Sequence, residues 1–121
     1  MRFCNRLLEN LRADDDLSGR NFKIITFAYS YTVPAPTGGV IPDRDLCIWY
    51  AEYSDMRYSL FADEQRADYK DNLSAWKNLT AAENSGSLIL WLYDESYNNY
   101  LTYFRDSMSA IDTIIDEAVE M

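Results

Sequence analysis

The chain has 121 residues, 48% of them apolar, and a mean hydropathy of -0.35, enough for one domain with its own core. Twenty acids against eleven bases give a formal charge of -9, which opposes docking on nucleic acid or on an anionic membrane surface. There is no histidine, so His-based triads and most zinc sites are excluded, and no apolar run approaches the ~20 residues that cross a bilayer.

The N-terminus, MRFCNRLLENLRADDD, is interrupted by polar residues every few positions and lacks the apolar stretch of a signal peptide. Residues 2 to 13 read as a helix with Phe3, Leu7, Leu8 and Leu11 on one stripe. Asp14 to Asp16 disfavour a helix C-terminus, and Ser18-Gly19 closes the turn. The acid triplet lacks the alternating ligands and the glycine of a calcium-binding loop, so it reads as solvated.

FKIITFAYSYT, residues 22 to 32, is rich in β-branched and aromatic residues and reads as a strand. VPAPTGGVIPD follows, with three prolines and two adjacent glycines, and excludes a helix. LCIWYAEY, residues 46 to 53, is a second strand. Residues 62 to 80 form a helix with Tyr69, Leu73, Trp76 and Thr80 on one stripe and Leu79 beside it. Asn84-Ser85-Gly86 turns the chain into a third strand, Leu88 to Tyr93. A last helix runs from about residue 106 to the end, with Met108, Ile111, Ile115 and Ala118 alternating in steps of three and four after Leu101 and Phe104.

The order is α-β-loop-β-α-β-α. Strands that are continuous apolar runs are buried on both faces, which predicts a parallel α/β sheet. The connection between the first two strands is long enough for a crossover without a helix, and a hairpin is the competing reading. Cys4 and Cys47 do not make a disulfide framework. They read as two small buried side chains, with a single bridge as the alternative. No cofactor-binding loop or metal-ligand cluster is visible.

In parallel α/β folds, functional groups sit beyond the carboxyl ends of the strands. Those ends carry Tyr29 and Tyr31, then Glu52 and Tyr53, then Asp94 and Glu95. Glu52 and Asp94 end neighbouring strands and are the candidate pair of carboxylates. Rim solvation or helix capping is the bland alternative to a chemical role. Glu95 should point away from Asp94 if the extended geometry persists. Tyr29, Tyr31, Tyr53 and Glu95 are candidate substrate-binding residues. Trp49 and Trp91 read as mid-strand core packing, with sugar stacking the alternative.

Three stretches, KIITFAYSYTVPAP, DLCIWYAEYSDMRYSL and NLSAWKNLTAAENSGSLILWLYDESYNNYLTYF, together resemble the bacterial domain numbered forty-eight thirty-eight among domains of unknown function. The resemblance rests on Ala28, Tyr29, Tyr31 and Thr32, on Pro34 and Pro36, on Cys47 and Glu52, on Leu73, Trp76 and Leu79, and on Trp91 and Tyr93. Tyr100, Leu101 and Phe104 also fall where that family has similar residues, whereas its Asp between Trp and Tyr is Leu92 here. The resemblance implies a glycosidase-like (β/α) barrel, often found beside an α-glucuronidase-type N-terminal domain. Glycoside hydrolysis usually uses two carboxyl groups, about 5 to 5.5 Å apart in retaining enzymes and about 6.5 to 9.5 Å in inverting ones, and under the resemblance Glu52 and Asp94 would be that pair. A barrel closes eight strands over typically about 250 residues. Residues 1 to 121 are therefore expected to be a single partial TIM-barrel segment of three parallel strands with flanking helices, lacking the remaining strands. Its partners would be a carbohydrate and the rest of the parent chain, and it would be inactive alone because catalysis needs groups from several strands. The alternative is a small acidic α/β protein-interaction module with a Tyr-rich binding rim.

Overall fold

The computed structural model describes residues 1–51, 63–91 and 108–120. Their elements are α1 (Arg2–Ala13), β1 (Ile24–Ala28), a short 3-10 turn (Ser30–Thr32), β2 (Leu46–Tyr50), α2 (Asp63–Thr80), β3 (Ser87–Leu90) and α3 (Met108–Glu120). The strands form one parallel sheet in the order β1-β2-β3. The parallel reading of β1 and β2 holds, and the hairpin reading does not. Ile24 lies opposite Leu46 and Ala28 opposite Tyr50, and Ile48 and Tyr50 lie opposite Leu88 and Leu90.

That register sorts the side chains by face. Ile24 and Ala28, then Leu46, Ile48 and Tyr50, then Leu88 and Leu90 share the face that meets the helices. Leu8 of α1, Val33 after the 3-10 turn, and Tyr69, Leu73 and Trp76 of α2 join them in the core. The Tyr50 and Tyr69 rings meet edge to face at 5.3 Å, an arrangement favoured by the ring quadrupoles. The stripe predicted for α2 is the one that packs.

The opposite face departs from the expectation of burial on both sides. Ile25, Phe27, Ile89 and Trp91 are each about half exposed, with Cys47 buried and Trp49 partly buried between them. Burial on both faces holds only along the central strand. β1 is also shorter than predicted: Ser30 adopts a left-handed backbone (φ 52°), which turns the chain out of the sheet two residues after Ala28.

The α1 stripe is rotated from the one predicted. Phe3 is 76% exposed, and the docked side carries Met1, Cys4 and Leu8. Two polar residues cause the rotation. The Asn5 amide donates to the Ile41 carbonyl oxygen (2.8 Å) and accepts from the Asp43 N–H (3.1 Å). Arg12 donates to both Asp43 and Asp45, with Nη1 2.7 Å from Asp43 Oδ2. The Arg12 guanidinium holds the Asp43 carboxyl below its ordinary range, and the two carboxylates raise Arg12 in return. Both cysteines are free, Cys47 buried and Cys4 partly so, as the reading without a bridge expects. In α3, Ile115 and Val119 are exposed, while Ala118 packs against the core. Leu101 and Phe104 lie outside the described residues.

Candidate functional site

Beyond the carboxyl end of β1 the chain passes through Tyr29, still extended (φ -144°, ψ 144°), into the left-handed Ser30. Such a conformation at a non-glycine residue costs about 1–2 kcal/mol and persists only where neighbours hold it. Thr32 supplies the restraint. Its hydroxyl accepts from the Tyr29 N–H (3.0 Å) and lies within donating reach of the carbonyls of Phe27 (3.1 Å) and Tyr29 (2.9 Å). The backbone adds two turn bonds, Thr32 N–H to Tyr29 and Val33 N–H to Ser30. From the other side, the Trp76 indole N–H donates to the Val33 carbonyl at 2.7 Å, tying the turn to α2.

Between this turn and α2 lies a cleft of about 680 Å³, lined by Tyr29, Ser30, Val33, Pro34, Asp68, Asp71 and Asn72. Its size suits a small ligand. The wall supplies an aromatic ring, two carboxylates and an amide, and among the described residues no basic one lines it. Such a surface accepts hydrogen bonds from hydroxyl groups and repels anions.

Of the residues singled out in the sequence, Tyr29 is half exposed and lines the cleft. Tyr31 is fully exposed on the turn and is not part of the lining. Glu52, Tyr53, Asp94 and Glu95 lie outside the described residues. Asp68, Asp71 and Asn72 were not among the candidates. Their spacing of i, i+3, i+4 places them on one flank of α2 beside the core stripe, where they read as an ordinary solvated face. The signal that finds them is topological: in a βαβ unit the first turns of the helix lie at the carboxyl rim of the sheet.

Trp49 and Trp91 are not packed between layers as expected. The Trp49 ring stands 5.1 Å from Trp91 and 5.5 Å, edge-on, from Phe27. This trio lies on the sheet face away from the helices, where Trp91 is 43% exposed. The Trp49 indole nitrogen is buried and has no hydrogen-bond partner among the described residues.

No protein-family model matches the chain, and no curated protein or solved structure is significantly similar to it.

Proposed function

We propose that this chain is an arc of a larger glycosidase-like (β/α) barrel, that its rim contributes to holding a carbohydrate, and that it does not cleave glycosidic bonds alone. The observation that carries the reading is the one-sided layering of the sheet. Strands run in sequence order, helices cover one face, and the other face presents Phe27, Trp49, Ile89 and Trp91. In a barrel that second face turns inward and is filled by side chains from the other strands. Covering the four half-exposed side chains Ile25, Phe27, Ile89 and Trp91 would contribute about 3–6 kcal/mol. The carbohydrate part of the reading rests on the cleft beyond β1, which offers a ring to stack on and acceptors for hydroxyls. Glu52 and Asp94 remain the proposed carboxylate pair, and Tyr53, Glu95 and Tyr31 the proposed neighbours of Tyr29 at the rim.

The same uncovered face favours a second reading, the small interaction module, in which a separate protein covers the aromatic trio. Titration of the labelled chain with neutral oligosaccharides, followed by amide NMR, separates the two. The first reading expects saturable shifts at residues 29–34 and 68–72, weakened about tenfold, or about 1.4 kcal/mol, by Tyr29→Ala. Absence of saturable shifts, or shifts that Tyr29→Ala leaves unchanged, would count against a carbohydrate site and leave the interaction module as the better reading.

A further inference from the structure

At the opposite end of the sheet, where β1 and β2 begin, lies a second cleft of about 590 Å³. Four of the eleven basic residues of the chain line it: Arg12, Arg20, Lys23 and Arg44. They are brought together by topology. Arg12 lies in the last turn of α1, Arg20 closes the turn that follows, Lys23 directly precedes β1, and Arg44 lies two residues before β2. The opposing charge is small. Asp45 lines the cleft, and Asp43 is engaged by Arg12 behind it. Arg44 Nε sits 3.7 Å from Asp45, a loose pair, and Arg20 and Lys23 make no ion pair among the described residues. Among the described residues, four cations against two carboxylates leave an excess of two positive charges, in a chain whose total is -9.

We infer that this cleft binds a small molecule carrying a phosphate dianion. The charge excess matches that of a phosphate monoester, and guanidinium groups present the fork geometry that phosphate oxygens accept. Phe22 supplies an apolar wall for the uncharged body of the ligand, and the volume fits a small molecule. An extended polyanion is disfavoured, because the strongly acidic remainder of the surface would repel its flanking charges. Arg12 positions the cleft without being available to the ligand as a free charge, since Asp43 and Asp45 already hold it.

The test is a titration of the full chain with inorganic phosphate, a hexose 6-phosphate and the parent hexose, followed by amide NMR at low ionic strength. Saturable shifts confined to residues 19–23 and 44–45 are expected with both phosphates and not with the hexose. Tighter binding of the ester than of inorganic phosphate identifies an ester as the ligand class, and equal binding identifies the free anion. The double variant Arg20→Gln/Lys23→Gln is expected to weaken binding at least tenfold, and Arg44→Gln, which leaves the Arg12 pairs intact, severalfold. Arg2→Gln, on exposed α1, is expected to change nothing. The inference is overturned if phosphate produces no saturable shifts, or if both cleft variants bind as the parent does.

Discussion

Replacing Trp76 by Phe removes one hydrogen bond and part of one ring from the core. Trp76 is 4% exposed, and its indole N–H reaches the carbonyl of Val33, itself buried, at 2.7 Å. Phe keeps an apolar ring but leaves that carbonyl without its donor, at a cost of about 1–3 kcal/mol. The smaller ring leaves roughly 40 Å³ unfilled, which at ~24 cal/mol per Å³ costs about 1 kcal/mol more. The sum, about 2–4 kcal/mol, is a large part of the ~5–15 kcal/mol that stabilises a typical domain. Urea unfolding followed by far-UV circular dichroism reads it as a lower midpoint at unchanged slope. Amide shifts should spread from residue 76 to 29–34, because the bond ties the turn to α2. A loss below about 0.5 kcal/mol, the scale of an ordinary surface substitution, would refute the reasoning.

Arg12→Met is expected to cost about 1–2 kcal/mol at neutral pH, the lower part of the range for charged hydrogen bonds because the Arg12 side chain is a third exposed. Asp43 titrates below its ordinary value of 3.8 in the folded chain, so its contribution is complete above that value and is lost as pH falls through the lower folded one. The gap between parent and variant should therefore narrow in urea titrations below about pH 4, and a constant gap would exclude Asp43 as the linked group. Gly86→Ala should cost about 2 kcal/mol or more, because a Cβ there would press on the Leu46 carbonyl oxygen and stand 2.9 Å from that of Asp43. Thermal unfolding measures it, and a neutral result would mean that β3 and the segment before β2 move apart freely. Phe27→Lys/Ile89→Lys should abolish binding of a hydrophobic dye without lowering the unfolding midpoint by more than about 1 kcal/mol, since both side chains are half exposed. A large loss of stability would show that this face is already covered.

Periodicity located the helices because it follows from burial on one face, whereas the parallel sheet was legible from continuous apolar runs. The α2 stripe of Tyr69, Leu73 and Trp76 is a long and regular example. The logic of periodicity misplaced α1, where Leu8 packs but Phe3 does not, because Asn5 and Arg12 orient the helix through hydrogen bonds that apolar patterning does not register. Reading apolar runs as buried on both faces overstated burial of the outer strands. An apolar run such as IITF is the same string whether its second face meets a layer or meets solvent. In the cleft beyond β1, Tyr29 was legible from its position at a strand end. Asp68, Asp71 and Asn72 were not, because only the folded crossover brings that flank of α2 to the turn at Ser30. The basic cleft was hidden by the arithmetic of net charge, which averages over a surface what the fold concentrates at one end.

What keeps β1 and β2 parallel is the pinning of a crossover that has no helix of its own. Residues 33–45 carry three prolines and two glycines with left-handed φ, so the backbone cannot bond to itself in a regular pattern. Its polar groups are met by three other elements instead. Trp76 takes the carbonyl of Val33 where the segment leaves the rim, and Asn5 takes Ile41 and Asp43 near its end. The Gly86 N–H takes Pro42, a close approach that a side chain at that position would obstruct. A buried backbone group left without a partner costs about as much as a lost hydrogen bond, so these contacts select the crossover over a hairpin that would leave them unmade. One loop thus fixes both ends of the sheet. Its first residues form a wall of the acidic cleft at the rim, and its last, Arg44 and Asp45, form a wall of the basic one.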